Sequence, residues 1–80
     1  MSVKLTWDRD RLMLGRIQVA EVEEAGMMTG HKARWWLSGR DIHGTVTDGK
    51  NFKARNEIAR KECWDATVRE LAAVGVKVTP

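Results

Sequence analysis

The side chains of this sequence with nucleophilic or soft-ligand chemistry are His31, His43 and Cys63. Zinc sites draw such ligands in close pairs, and no two of these three are neighbours in the chain. Cys63 lies between Glu62 and Trp64 in a run of helix formers, and shares a helical stripe with Phe52, Ala59 and Ala66. A thiol in that setting behaves as a small buried hydrophobe rather than a nucleophile. Glu21, Glu23 and Glu24 cluster at a strand end, where a solvated edge is the ordinary explanation. Gly26 and Gly30 flank Met27-Met28-Thr29 without the lysine and following helix of a phosphate loop. With no convergent acid, base and nucleophile, the expectation is a protein that is not an enzyme and has no metal or cofactor.

Contact chemistry is better represented. Arg34 and Trp36 share one face of a strand whose other face carries Ala33, Trp35 and Leu37. A tryptophan beside an arginine can stack on a base, or anchor a protein interface. His43 and Thr45 on the neighbouring strand extend that surface, and Arg40 lies in the turn between the two. Lys50, Lys53, Arg55, Arg60 and Lys61 face Glu57 alone across residues 50–61. Their N-terminal members fall where a helix already carries partial positive charge, so a bound anion would relieve them. The ordinary alternative is a solvated face with Glu57 and Lys61 paired at i,i+4. Met27 and Met28 form an apolar, adaptable segment in a glycine-flanked loop suited to protein contact.

These residues need elements to position them. Val3, Leu5 and Trp7 alternate with Lys4 and Thr6, a period of two that predicts a strand over about 3–8. A second strand is expected over about 12–22, although its alternation slips at Gly15, where a bulge or sharp bend belongs. A third covers about 32–38. Ser38-Gly39-Arg40-Asp41 has hairpin-turn chemistry, and a fourth strand covers about 42–47. From about 52 to 74 there is neither proline nor interior glycine, which predicts one long helix. Asn51 is its expected N-cap and Gly75 its C′ stop. One apolar stripe holds Ala59, Cys63 and Ala66, and a second, roughly 110° round the axis, holds Trp64, Val68 and Leu71. Residues 76–80 read as a tail able to pair at a sheet edge. The predicted class is therefore α+β, an antiparallel sheet of three to four strands packed on one face by a single C-terminal helix, in the order β-β-β-β-α. Its opposite face is left open.

Size and composition agree. Eighty residues make one domain, and 42% hydrophobic residues against 31% charged is too apolar for a disordered chain. Four tryptophans, each able to bury roughly 150–250 Å², carry much of a small core. One cysteine permits no internal disulfide, and the N-terminal residues lack a signal peptide's apolar run, so a cytoplasmic location is expected. Nothing approaches the roughly 20 apolar residues of a membrane span, and no membrane partner is expected. A net charge of +3 is a weak electrostatic footprint for nucleic acid.

The succession Trp7, Trp35-Trp36, Gly44, Phe52, Ala59 and Trp64 resembles small, uncharacterised phage and prophage proteins, in which Trp-bearing strands precede a Phe-led, Ala-rich helix. The resemblance implies a sheet followed by a helix and a phage-related setting. A sheet with a C-terminal helix is also similar in architecture to phage integrase arm-binding domains and to plant ethylene-response-type DNA-binding domains. That similarity implies reading of DNA by sheet residues, here Arg34, Trp36 and Arg40.

Two functional expectations follow. The first is a small accessory protein whose open sheet face, with Trp36 and the Met27-Met28 loop, mediates self-association or docking to another protein. The second is a nucleic-acid-binding module using Arg34, Trp36, Arg40, His43 and the basic helix start at Lys50, Lys53 and Arg55.

Overall fold

The structure, a computed structural model, describes residues 2–79. A short strand, β1 (Ser2–Val3), leads into β2 (Leu5–Asp8), β3 (Arg11–Leu14) and β4 (Ile17–Glu23). A single 3-10 turn over Met27–Thr29 precedes β5 (Ala33–Leu37) and β6 (His43–Val46), then come the helix α1 (Phe52–Ala73) and a last short strand, β7 (Lys77–Val78). Strands β2 to β6 form one antiparallel sheet in chain order, and α1 packs against β4, β5 and β6. The α+β class with one C-terminal helix holds.

The strand expected over 12–22 is two strands. Gly15 has φ +64°, and Leu14 pairs with Ile17 across Gly15-Arg16, so the chain reverses where the alternation slips. A glycine at the first central position suits a two-residue hairpin whose hand matches the strand twist. A separate register shift lies between Leu12 and Met13, because Leu12 faces Ala20 while Met13 faces Gln18. Val19 is thus the extra residue of a bulge. The reversal raises the main sheet to five strands. The segment expected as a tail is partly ordered: Lys77–Val78 pairs in parallel with Ser2–Val3, and the Thr79 N–H donates to the Val3 carbonyl at 2.7 Å. Pro80 lies outside the described residues.

Alternation sorts the sheet into two faces. Leu5, Leu12, Ala20, Val22, Ala33, Trp35, Leu37 and Val46 point toward α1 and are buried. Ala59, Cys63 and Ala66 meet them from the helix, and their small side chains let it lie close. Trp64, Val68 and Leu71 are half-buried along its flank, so the helix uses both stripes. Phe52, expected on the first stripe, is instead 36% exposed and stacks on His31 with ring centroids 5.4 Å apart. Coming at the first turn, it packs on the loop and not on the core.

The helix ends are capped as predicted. The Asn51 side chain accepts from the Ala54 N–H at 2.8 Å, a contact worth about 1 kcal/mol. At the other end Val76 N–H donates to the Leu71 carbonyl and Gly75 N–H to that of Ala72, the paired bonds of a glycine-terminated helix.

Candidate functional site

The face turned away from α1 is built by strand register. Arg11 pairs with Glu21, Glu21 with Trp36, and Trp36 with His43, so these four side chains form one row across β3 to β6. Glu23, Arg34 and Thr45 form the next row. Trp36 is 36% exposed, and among the described residues its indole N–H has no protein partner. Arg34 Nε lies 4.0 Å from Glu23 Oε1, both side chains about half exposed. Such a pair contributes roughly 0–1 kcal/mol to stability. Both carboxylates, Glu21 and Glu23, lie on the β4 side of the indole, with Arg34 on its own strand and His43 and Thr45 on the β6 side.

Several residues expected on one surface are separated. Arg34, Trp36 and His43 do come together. Arg40 does not join them: its Nη1 donates to Glu70 Oε1 at 3.2 Å, on the helix side. There it borders a groove of about 250 Å³ lined by Ile17, Leu37, Leu71 and Val74. The chain turns at Gly39, and the long arginine stem reaches the nearest carboxylate on α1. Lys50 and Lys53 are exposed at the helix start, whose first turn carries no acid. Arg55, expected beside them as a contact cation, donates from Nη1 to the His31 carbonyl, and its Nε is buried without a partner among the described residues. His43 Nε2 stands 3.7 Å from Asp41, with both side chains in solvent. The Glu57–Lys61 pairing gives way to Lys61 with Asp65, at 2.9 Å.

The Met27-Met28 loop is held more firmly than two glycines suggest. Asn56 accepts from the Ala25 N–H at 2.7 Å and donates to Glu24 Oε2 at 3.2 Å. The Thr29 hydroxyl lies 3.0 Å from the Gly26 N–H, whose bond it accepts, and 2.9 Å from the Lys32 carbonyl. Met27 and Met28 are left 77% and 99% exposed at the tip. The loop is tied to α1 on both sides of its tip.

Elsewhere the chemistry is quiet. Burial pushes the Cys63 thiol up to about 11, far from a reactive thiolate. Among the described residues no group of three or more His, Cys, Asp or Glu is placed to hold a metal ion. A cleft of about 610 Å³ lies between Asp8, Arg9, Asp10, Arg11, Glu24 and Arg60. Its carboxylates and guanidiniums offset one another, and Arg60 is already committed to the Arg9 carbonyl at 2.8 Å, to Glu24 at 3.9 Å and to the face of Trp7 at 4.7 Å. No helix among the described residues is long and apolar enough to cross a membrane.

Met13 and Gln18 reach this face through the hairpin at Gly15, and Arg11 joins it because β3 begins inside the polar Asp8–Arg11 stretch that has turn chemistry. Glu21 and Glu23, read as a solvated strand end, are direct cross-strand neighbours of Trp36 and Arg34. The signal was available in the alternation: a slip at a glycine is also what a two-residue reversal produces.

No protein-family model, no curated protein and no solved structure matches this chain. The phage-type resemblance therefore rests on the residues quoted for it.

Proposed function

We propose that the chain is a small, non-enzymatic assembly protein whose open sheet face docks onto protein, with a second copy of itself as the occupant. The observation that carries this reading is Trp36, standing partly exposed between Glu21 and His43 in the open-face row. Tryptophan is the residue most enriched at binding hot spots. The argument for a second copy is charge. Arg11 with Glu21 and Arg34 with Glu23 put both signs on one face, so a second copy can set carboxylate against cation across a face-to-face contact. The lone buried thiol supports a reducing, cytoplasmic setting, and the phage-type resemblance supports an accessory role.

Light scattering across a concentration series tests it. The wild type is expected to exceed 9.1 kDa and Trp36→Ala to lose most of that excess. Arg34→Glu and Glu23→Arg are each expected to weaken association alone and to recover it when mixed. A chain that stays at 9.1 kDa at every concentration overturns the reading.

A second reading, nucleic-acid binding, draws on the exposed Lys50 and Lys53 at a helix start without acidic residues. It expects tryptophan fluorescence to change on adding an oligonucleotide and the change to fade with salt. No change at low ionic strength removes it.

A further inference from the structure

The main sheet has two outer strands, β2 and β6, and they are guarded differently. Charged residues bound β2, with Lys4 before it and Asp8 at its end. Natural edges are commonly blunted by lysine, proline or inward charge. The β6 segment, His43-Gly44-Thr45-Val46, has none of these. Its backbone direction follows from one hydrogen bond: the Leu37 N–H donates to the Ile42 carbonyl at 2.9 Å. In an antiparallel ladder inward and outward residues alternate. Ile42, Gly44 and Val46 therefore face β5, while His43 and Thr45 turn both N–H and C=O to the free edge.

We propose that β6 is a strand-addition edge, and that its occupant is β6 of a second copy, antiparallel about a two-fold axis at Gly44. With His43 opposite Thr45 of the other copy, every outward N–H meets a carbonyl and every outward carbonyl an N–H. A strand satisfies its own copy in this way only if the register is symmetric, and the two outward residues flank Gly44 symmetrically. The two Gly44 residues then meet as a non-hydrogen-bonded pair, where Cα atoms approach to about 4.5 Å. Gly44 has no side chain to bring to that pair, and none fits there: a Cβ would lie 2.5 Å from Nε1 of the Trp35 indole on the helix side. No like charges are brought opposite one another. On the open side, the depression of about 370 Å³ lined by Arg34, Trp36, His43 and Thr45 continues across the joint. The copies share one continuous sheet, with both Trp36 side chains on the same side. Strands this short place the contact below the roughly 1,200 Å² of stable interfaces, so it is reversible and depends on concentration. It does not rest on the face-to-face contact proposed above.

The test uses backbone chemistry. Thr45→Pro removes an outward N–H and leaves the inward ladder at Gly44 and Val46 intact. In a Trp36→Ala background, which removes the face contact, the mass is expected to rise above 9.1 kDa with concentration; adding Thr45→Pro is expected to return it to 9.1 kDa with an unchanged circular dichroism spectrum. If the proline variant does not fold, amide exchange on the wild type decides. The His43 and Thr45 amides are expected to be protected at high concentration and to lose protection on dilution. Amides that exchange freely at every concentration overturn the proposal, as does a folded Thr45→Pro variant that assembles like its parent. Either result leaves the face contact standing or falling on the Trp36→Ala series alone.

Discussion

Trp35 and Trp36 are the same residue one peptide apart, and they live in different worlds. Trp35 is 8% exposed, its indole N–H donates to Glu62 at 3.1 Å, and its ring occupies the space that Gly44 vacates. Trp36 is 36% exposed and has charged or ionisable cross-strand neighbours, Glu21 and His43. The contrast shows how a strand divides labour. Alternation sends one indole into the helix interface, where packing and a hydrogen bond hold it, and the other onto a surface where its contribution to folding is small. A face that contributes little to stability is free to be shaped by contact.

Three measurements sharpen or break that division. The largest effect is expected from Trp35→Ala, which empties the centre of the core and leaves Glu62 without its donor. It should lower unfolding free energy by about 3–5 kcal/mol in denaturant titrations, whereas Trp36→Ala should stay within about 1 kcal/mol of wild type. Equal losses would erase the contrast. Next comes Gly44→Ala, whose methyl group would fall 2.5–2.7 Å from three atoms of the Trp35 indole. Displacing that ring should cost about 1–3 kcal/mol and change the near-ultraviolet circular dichroism. A neutral outcome would mean that the indole does not depend on the space above the glycine. The smallest effect concerns Cys63. Its thiol is raised from an ordinary 9.0 to about 11 by burial, so the unfolded chain loses its proton first. The contribution is fully present below pH 9 and is lost as pH rises toward 11, and this slope should vanish in Cys63→Ala.

The parts of the fold that were legible in the sequence are those set by local chemistry. The helix, predicted over 52–74, runs Phe52–Ala73, with Asn51 and Gly75 in their expected capping roles. The alternation from Ala33 to Val46 placed Arg34, Trp36 and His43 on one surface without any knowledge of register. The reversal at Gly15 was hidden because a two-residue turn, like a bulge, shows in the sequence only as a slip of the alternation. Long-range pairing was illegible for a different reason. Arg40 meets Glu70, Arg60 meets Glu24, and Asn56 meets Ala25, each across some thirty residues. Nothing in the spacing of such residues marks them as partners until the helix has docked. The candidate face was thus half visible: its aromatic centre could be named, and its carboxylate half could not.

The fastening of the Met27-Met28 loop has a mechanical consequence. Its ties run to Asn56, Arg55 and Phe52, all within the opening turns of α1, so both ends of the loop are carried by the start of the helix. Fraying of those turns would release both methionines together. While those ties hold, only the side chains of Met27 and Met28, 77% and 99% exposed, turn freely.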